Sequence, residues 1–100
     1  MLVAFSVAPS TSDAEGGVAD AVAEAVRIVR ASGLPNRTDA MFTTIEGEWD
    51  ACLAVVKACC DHLATVAPRV SLVLKADIRP GFTGQLDAKV DRIEAALADG

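Results

Sequence analysis

Aromatic side chains are scarce in this sequence, and tyrosine is absent. Three phenylalanines and one tryptophan are the only aromatic residues among its 100 positions. A ligand whose ring needs an aromatic wall therefore has four candidates, which are Phe5, Phe42, Trp49 and Phe82. Hydrophobic residues nevertheless make up 52% of the chain, which favours a packed globule over a disordered polymer.

Basic residues are also few. Nine lysines and arginines are scattered along the chain against 14 acidic residues, which gives a net charge of −5. A nucleic-acid-binding protein normally carries a basic stripe, so we expect no nucleic-acid partner. No apolar run approaches the roughly 18 residues of a membrane span. The N-terminal run at 2–8 is short and lacks the basic flank of a signal peptide, so we expect a cytoplasmic, soluble protein without a membrane partner.

Cysteine is limited to three residues within one helix-like stretch, too few and too close for a disulfide framework. Cys59 and His62 could face a metal together on a helix, but no CxxC motif or second histidine completes such a site. Cys59 and Cys60 could be redox-active, although adjacent helical cysteines are usually core residues. The sequence therefore predicts no metal and no cofactor.

Hydrophobic periodicity predicts one domain that spans residues 1–100. Alternating side chains indicate strands at 2–8, 37–41, 42–46 and 69–79. Helical spacing indicates helices at 18–31 and 49–67 and a final amphipathic helix over 86–97. Candidate caps for the first helix lie in the polar segment 10–17. On the first helix the valines at 18, 22, 26 and 29 are expected to face the core, with Ala21 and Ala25 beside them.

This element order predicts an α+β fold, a ferredoxin-like βαββαβ sandwich with an additional C-terminal helix. Right-handed crossovers place the first two helices on one sheet face. The opposite face would carry Ala4, Ser6, Val73 and Thr44, which together are too apolar to remain fully wet. We expect that face to meet a ligand, another subunit or the third helix.

Three charged residues alternate at the end of the last predicted strand, namely Lys75, Asp77 and Arg79. Neighbouring members lie about 7 Å apart on one face of an extended strand. They could form a polar ligand site or a subunit contact. They could equally be the charges that protect a solvated edge strand.

A second candidate lies just before the second helix. Thr43, Thr44 and Glu46 offer two hydroxyl groups and a carboxylate, and Gly47 allows a close backbone approach. The threonines could also be there simply as good strand formers, with Glu46 favouring the N-terminus of the following helix. Because the sequence contains no nucleophile motif, glycine-rich phosphate loop or zinc signature, we expect a protein that is not an enzyme.

Several segments resemble the YkoF-like thiamine-binding family of small ferredoxin-like proteins. The similarity is carried by FSVAP at 5–9, SGL at 32–34, TTIEGEWD at 43–50, VVK at 55–57 and LKADIRPG at 74–81, followed by Lys89 and Val90. The resemblance implies a non-catalytic protein that binds thiamine or its hydroxymethylpyrimidine half. It also implies self-association to a dimer or tetramer through the sheets.

The ligand site that the resemblance suggests uses the two candidate segments and the first strand. Its residues are Ser6, Phe42, Thr43, Thr44, Glu46, Lys75, Asp77 and Arg79. In this hypothesis the pyrimidine ring lies near Phe42, a threonine and Glu46 bind its nitrogen and amino group, and Asp77 balances the thiazolium charge. The scarcity of aromatic residues departs from what such a ring prefers.

Two other functions fit the residues. The protein could be a structural or regulatory homo-oligomer that uses its open sheet face for assembly without binding thiamine. It could also be a small ferredoxin-like enzyme acting on a hydrophobic substrate, which would need an enclosed apolar pocket with a polar group deep inside.

Overall fold

A computed structural model describes residues 1–10 and 17–99. Its elements are β1 (Leu2–Ser10), α1 (Gly17–Ala31), β2 (Asn36–Thr38), β3 (Thr43–Glu46), α2 (Trp49–Ala64), β4 (Arg69–Asp77) and α3 (Gln85–Asp99). The four strands form one antiparallel sheet in the order β2-β3-β1-β4. This arrangement confirms the predicted ferredoxin-like α+β fold with a C-terminal helix.

The core lies between one face of the sheet and the helices α1 and α2. From the sheet, Val3, Phe5 and Ile45 are buried in it. These residues alternate with outward-facing neighbours, as a strand packed on one side requires. From α2, Cys52, Val55, Val56, Cys59 and Leu63 are buried. The predicted two-layer arrangement is therefore present, with the other sheet face free of α1 and α2.

The inner face of α1 differs from the predicted valine stripe. Its buried positions are Ala21, Ala25 and Val29, whereas Val22 is exposed. Small alanine side chains let the helix backbone approach its neighbours closely, and the larger Val22 lies to the side. Hydrophobicity alone could not distinguish these two adjacent stripes. The candidate caps of this helix at 11–16 lie outside the described residues.

Three strand predictions were wrong in their boundaries, those of β1, β2 and β3. β1 continues through Pro9 to Ser10, because β4 pairs with it along its whole length. Beyond Phe5, β3 no longer pairs with β1, so this part has a free edge on which proline is tolerated. The strands β2 and β3 are shorter than predicted, because a turn at 39–42 separates them. The carboxylate of Asp39 accepts the backbone N–H groups of Met41 and Phe42 at 2.8 and 2.9 Å and thereby forms this turn.

Two other elements end earlier than predicted. α2 stops at Ala64, where the backbone N–H and hydroxyl of Thr65 both turn back to the His62 carbonyl. β4 stops at Asp77, which pairs with the first residue of β1, so the strand has no neighbour further on. Arg79 therefore lies beyond the sheet rather than on it.

α3 begins against the open sheet face but none of its side chains is buried. Its predicted apolar stripe is present, and the exposed fraction rises along it from 44% at Val90 to 58% at Ile93 and 68% at Leu97. The third helix thus covers only the end of the open face near Leu2. No helix among the described residues is both long enough and apolar enough to cross a membrane.

Candidate functional site

Strand register places the predicted residues of β4 on the open face. Lys75 pairs with Ala4 and Asp77 with Leu2, while Val3 and Phe5 on the core side pair with Ala76 and Leu74. On the other side of β1, Thr44 also pairs with Ala4. The alternation predicted from the sequence is confirmed, and Lys75, Asp77 and Thr44 share one surface.

These three residues line a groove of about 410 Å³ between the sheet and the first turns of α3. We call it the open-face groove, and its other lining residues are Leu2, Ala4, Ala76 and Lys89. Lys89 forms an ion pair with Asp77 at its edge. The hydrogen bond and charge from Lys89 lower the pKa of Asp77. Lys75 makes no ion pair within the described chain, so the groove presents one paired and one free ammonium group.

Glu46 anchors the third helix. Its side chain is only 7% exposed, and its two carboxylate oxygens accept the backbone N–H groups of Gln85 at 2.9 Å and Leu86 at 3.1 Å. A carboxylate at this position satisfies otherwise unpaired donors at the helix N-terminus. An ion pair between Arg37 and Asp87 at 2.5 Å supports the same turn. The carboxylate oxygens of Glu46, which we predicted to bind a ligand, are therefore largely occupied by hydrogen bonds from α3.

The remaining predicted residues lie apart from the open-face groove. Thr43 pairs with Phe5 and so faces the helices, where its hydroxyl contacts that of Thr38 at 3.1 Å. Ser6, Phe42 and Thr43 line a pocket of about 100 Å³ against α1. The eight predicted residues are thus divided among the open-face groove, this pocket, the anchor of α3 and the segment after β4, and they do not converge on one ligand site.

Arg79 contacts an aromatic ring instead of the sheet. Its guanidinium carbon lies 3.6 Å from the centre of the Phe82 ring, a cation–π distance. Gly81 between them has φ of +83°, a conformation that favours glycine and lets the chain fold back here. Phe82 is thereby held beside the N-terminus of α2.

Phe82 stands in a cleft that the sequence reasoning did not locate. The cleft consists of two adjoining cavities that share Met1, Gly47, Glu48, Phe82 and Thr83 as lining residues. The first, here the Trp49 cavity, measures about 300 Å³ and is completed by Trp49, Ile78, Arg79, Pro80 and Gly81. The second, here the Leu86 cavity, measures about 510 Å³ and is completed by Leu34, Pro35, Glu46, Ala51, Gly84, Leu86 and Asp87. We call the two together the aromatic cleft.

Two of the four aromatic residues are available in this cleft. Trp49 is 52% exposed and Phe82 is 44% exposed. Phe5, by contrast, is buried in the core, and Phe42 lies on the small pocket against α1. The Glu48 carboxylate lines both cavities and makes no side-chain hydrogen bond to the helix that it precedes. The cleft therefore offers aromatic surface, apolar walls and a free carboxylate.

Close packing at Gly47 shapes the floor of the cleft. A Cβ atom added there would lie 3.1 Å from Leu34 Cδ2 and 3.3 Å from Cys52 Sγ. Glycine therefore lets Leu34 pack directly under the chain that leads from β3 into α2.

Two sequence features could have pointed to the cleft. A tryptophan stands at the start of the second helix, and a phenylalanine follows Pro80-Gly81. No local pattern showed that these two aromatic residues line the same cavity.

The cysteines belong to the core rather than to this cleft. Cys59 is buried, and its thiol donates to the Ala25 carbonyl at 3.5 Å. Burial, with a smaller effect of Cys60, raises the pKa of Cys59 to about 11. A thiol of this kind is protonated and poorly reactive at neutral pH. Across residues 1–10 and 17–99, no three histidine, cysteine or acidic side chains come together as metal ligands.

Comparison with known proteins identifies the family. Residues 3–94 match the family described as thiamine-binding protein. The chain belongs to this thiamine-binding protein family. It is 51% identical over 98 residues to UPF0045 protein Mb1933 of Mycobacterium bovis, an alignment that covers 97% of this chain and 94% of that protein. The predicted resemblance to a family of this description is confirmed.

Solved structures related to the thiamine-binding protein family share the fold. A domain of unknown function, DUF77, from Bacillus cereus superimposes with a TM-score of 0.79 at 32% identity, covering 89% of this chain and 85% of that one. TM0486 of Thermotoga maritima, whose name suggests thiamine biosynthesis or salvage, gives a TM-score of 0.75 at 23% identity over 89% of this chain and 95% of its own. At that identity the similarity establishes the fold alone.

Proposed function

We propose that this protein binds thiamine or its hydroxymethylpyrimidine half in the aromatic cleft and does not transform it. The observation that carries the proposal is the pairing of half-exposed Trp49 and Phe82 beside the free Glu48 carboxylate. The family description supplies the ligand class. The proposal places the ring at Phe82 rather than at Phe42, because the Leu86 cavity measures about 510 Å³ and the pocket at Phe42 only about 100 Å³.

The chemistry of the cleft suits an aminopyrimidine. Leu34 and Leu86 give the ring apolar contact in the Leu86 cavity, and Phe82 gives an aromatic surface. The carboxylate of Glu48 can accept the exocyclic amino group of the ligand. A flat ring without that amino group would not form this charge-assisted hydrogen bond and would bind less well.

The proposal of binding without catalysis is supported by the residues that line the cleft. Among the residues that the structure describes, no serine, cysteine or histidine, the common nucleophiles and general bases, lines either cavity. Among the lining carboxylates, Glu46 is occupied by α3 and Asp87 by Arg37. Glu48 alone remains free, which suits recognition better than paired acid–base chemistry.

A second candidate role, assembly through the sheet, is favoured by β4. This nine-residue strand lies at the edge of the sheet, and its Leu72, Val73 and Leu74 are exposed. An exposed apolar edge strand is a surface that pairs readily with another chain. We propose self-association to a dimer or tetramer through this region, and it is compatible with a ligand in the separate aromatic cleft.

Calorimetric titration with thiamine and with hydroxymethylpyrimidine tests the proposed function. We expect saturable binding below millimolar concentration and at least about a tenfold loss of affinity in Phe82→Leu, because the ring loses its stacking partner. The matched control is Phe42→Leu, an identical change at an aromatic residue outside the cleft. No heat with either compound at millimolar concentration would refute the proposal, and equal losses in the two variants would refute its location.

A further inference from the structure

The two cavities of the aromatic cleft differ in one charged residue. Arg79 lines the Trp49 cavity but does not line the Leu86 cavity, whereas Phe82 lines both. The guanidinium of Arg79 lies over the Phe82 ring at 3.6 Å and so occupies one of its faces. A ligand in the Leu86 cavity therefore meets the part of Phe82 that Arg79 leaves free.

A cation on one face of a ring alters what the other face accepts. The negative charge density of an aromatic face attracts one cation. A second cationic ring, stacked on the opposite face at a van der Waals distance of about 3.5 Å, would lie about 7 Å from the guanidinium carbon. The positive charge of Arg79 would repel this second cation. The second cation would also be attracted less strongly by the Phe82 ring, because Arg79 already interacts with the negative charge density of that ring. A neutral ring carries no net charge that Arg79 would repel, so its affinity for the Phe82 face falls much less.

The carboxylates near the cleft do not offset this repulsion. The oxygens of Glu46 accept the N–H groups of Gln85 and Leu86, and Asp87 is paired with Arg37. Among the described residues that line the cleft, this leaves the Glu48 carboxylate against two cations, the Arg79 guanidinium and the Met1 ammonium group, which donates to the Gly47 carbonyl at 2.8 Å. The cleft therefore has little net field to attract a cation, although Glu48 can still accept an amino group.

We propose that Arg79 is a specificity-determining residue that makes the Phe82 surface of the Leu86 cavity a subsite for a neutral aminopyrimidine and excludes the cationic thiazolium from it. This inference rests on the proposed function. In thiamine the pyrimidine half then contacts Phe82, and the thiazolium lies outside this subsite. Arg79 acts through Phe82 and through its charge rather than by bonding to the ligand.

The test combines calorimetry with nuclear Overhauser contacts, using thiamine and hydroxymethylpyrimidine as probes. In the native protein we expect contacts from the pyrimidine methyl group, and none from the thiazolium methyl group, to the Phe82 ring. In Arg79→Met we expect thiamine to bind about three to five times more tightly while hydroxymethylpyrimidine changes less than about twofold. Arg79→Lys, which keeps the charge, should behave as the native protein.

A matched control is Arg69→Met, the same change at an exposed arginine at the start of β4. It should leave both affinities unchanged. Equal changes for the two ligands in Arg79→Met, loss of hydroxymethylpyrimidine binding there, or thiazolium contacts to Phe82 in the native protein would overturn the inference while leaving the binding function in place. Absence of binding by both ligands in the native protein would instead overturn the proposed function, and this inference with it.

Discussion

At the scale of single residues, Glu46 is a charged side chain buried to satisfy two backbone donors. In Glu46→Ala those N–H groups lose their acceptors, so we expect the free energy of unfolding to fall by about 2 kcal/mol, with a smaller loss in Glu46→Gln, which keeps one oxygen. Urea unfolding followed by circular dichroism measures this. Glu94→Ala on the exposed side of α3 is the control, and it should change stability by less than about 0.5 kcal/mol. Similar losses in both would contradict the anchoring role.

Cys59 gives a prediction of pH dependence. Its thiol has a pKa of about 11 in the folded protein against an ordinary value of 9.0, because burial disfavours the thiolate. The folded-state pKa is the higher one, so the native protein keeps a proton that the unfolded chain releases. Its contribution to stability is therefore complete below pH 9 and is lost as the pH rises through about 11, by about 3 kcal/mol.

Urea unfolding between pH 8 and pH 11 checks this expectation about the thiol. The Cys59→Ala variant should start less stable, because a buried group is removed, but its stability should decline less steeply with pH. Lysine titration is common to both proteins and cancels in the comparison. Parallel declines would mean that the Cys59 thiol is not desolvated in the native state.

At the scale of elements, α3 is held at one end only. Its contacts with the sheet involve Gln85, Leu86, Asp87 and Lys89, whereas residues 90–99 are all exposed. A helix without buried side chains frays easily, because helix stability in proteins comes mostly from packing. We expect backbone amides in 90–99 to exchange with deuterium much faster than those of α2 around Cys59.

Hydrogen-exchange mass spectrometry on a dilute sample measures this contrast, with light scattering to define the molecular mass. Protection of 90–99 equal to that of α2 in a monomeric sample would contradict it. Protection that appears only at higher concentration would show that association covers the apolar stripe of α3.

The helices and strands also show which parts of the fold could be predicted from the sequence. Strict alternation from Val70 to Asp77 predicted both the strand and its two faces, because one side of the strand must pack on the helices. The α1 face was misassigned because an alanine stripe and a valine stripe run side by side, and closeness of packing decides between them. The β2–β3 turn was misplaced because the side chain of Asp39 forms it without an Asn-Gly or Asp-Gly signal.

The candidate site was less predictable than the fold. The sequence predicted which side chains share the open face, because alternation between the two faces is a local property of each strand. The residues that line the groove on this basis are Thr44, Lys75 and Asp77. Trp49 and Phe82 line one cavity only because the chain after β4 folds back beside the start of α2, which no local pattern encodes. Glu46 was correctly singled out as an acceptor, but the donors that it meets belong to the protein's own third helix.

At the scale of the whole molecule, the open sheet face and β4 edge leave apolar surface uncovered. Val73 projects from that face and is 57% exposed. We expect Val73→Lys to shift the protein toward the monomer, because a charge there would be buried on association. Size-exclusion chromatography with light scattering measures the shift. Val66→Lys, the same change at an exposed valine after α2, should leave the assembly as it is, and equal effects would place the interface elsewhere.

The contact between Glu46 and α3 also bears on how the chain reaches its native alignment. β3 pairs with β1 through Ile45 opposite Val3 and Glu46 opposite Leu2. A slip of one residue would turn the carboxylate into the core and the isoleucine to the outside. The last helix would then find no acceptor for its first amides. α3 thus acts as a check on the alignment of β3 with β1, since its first turn can dock only on a correctly registered sheet.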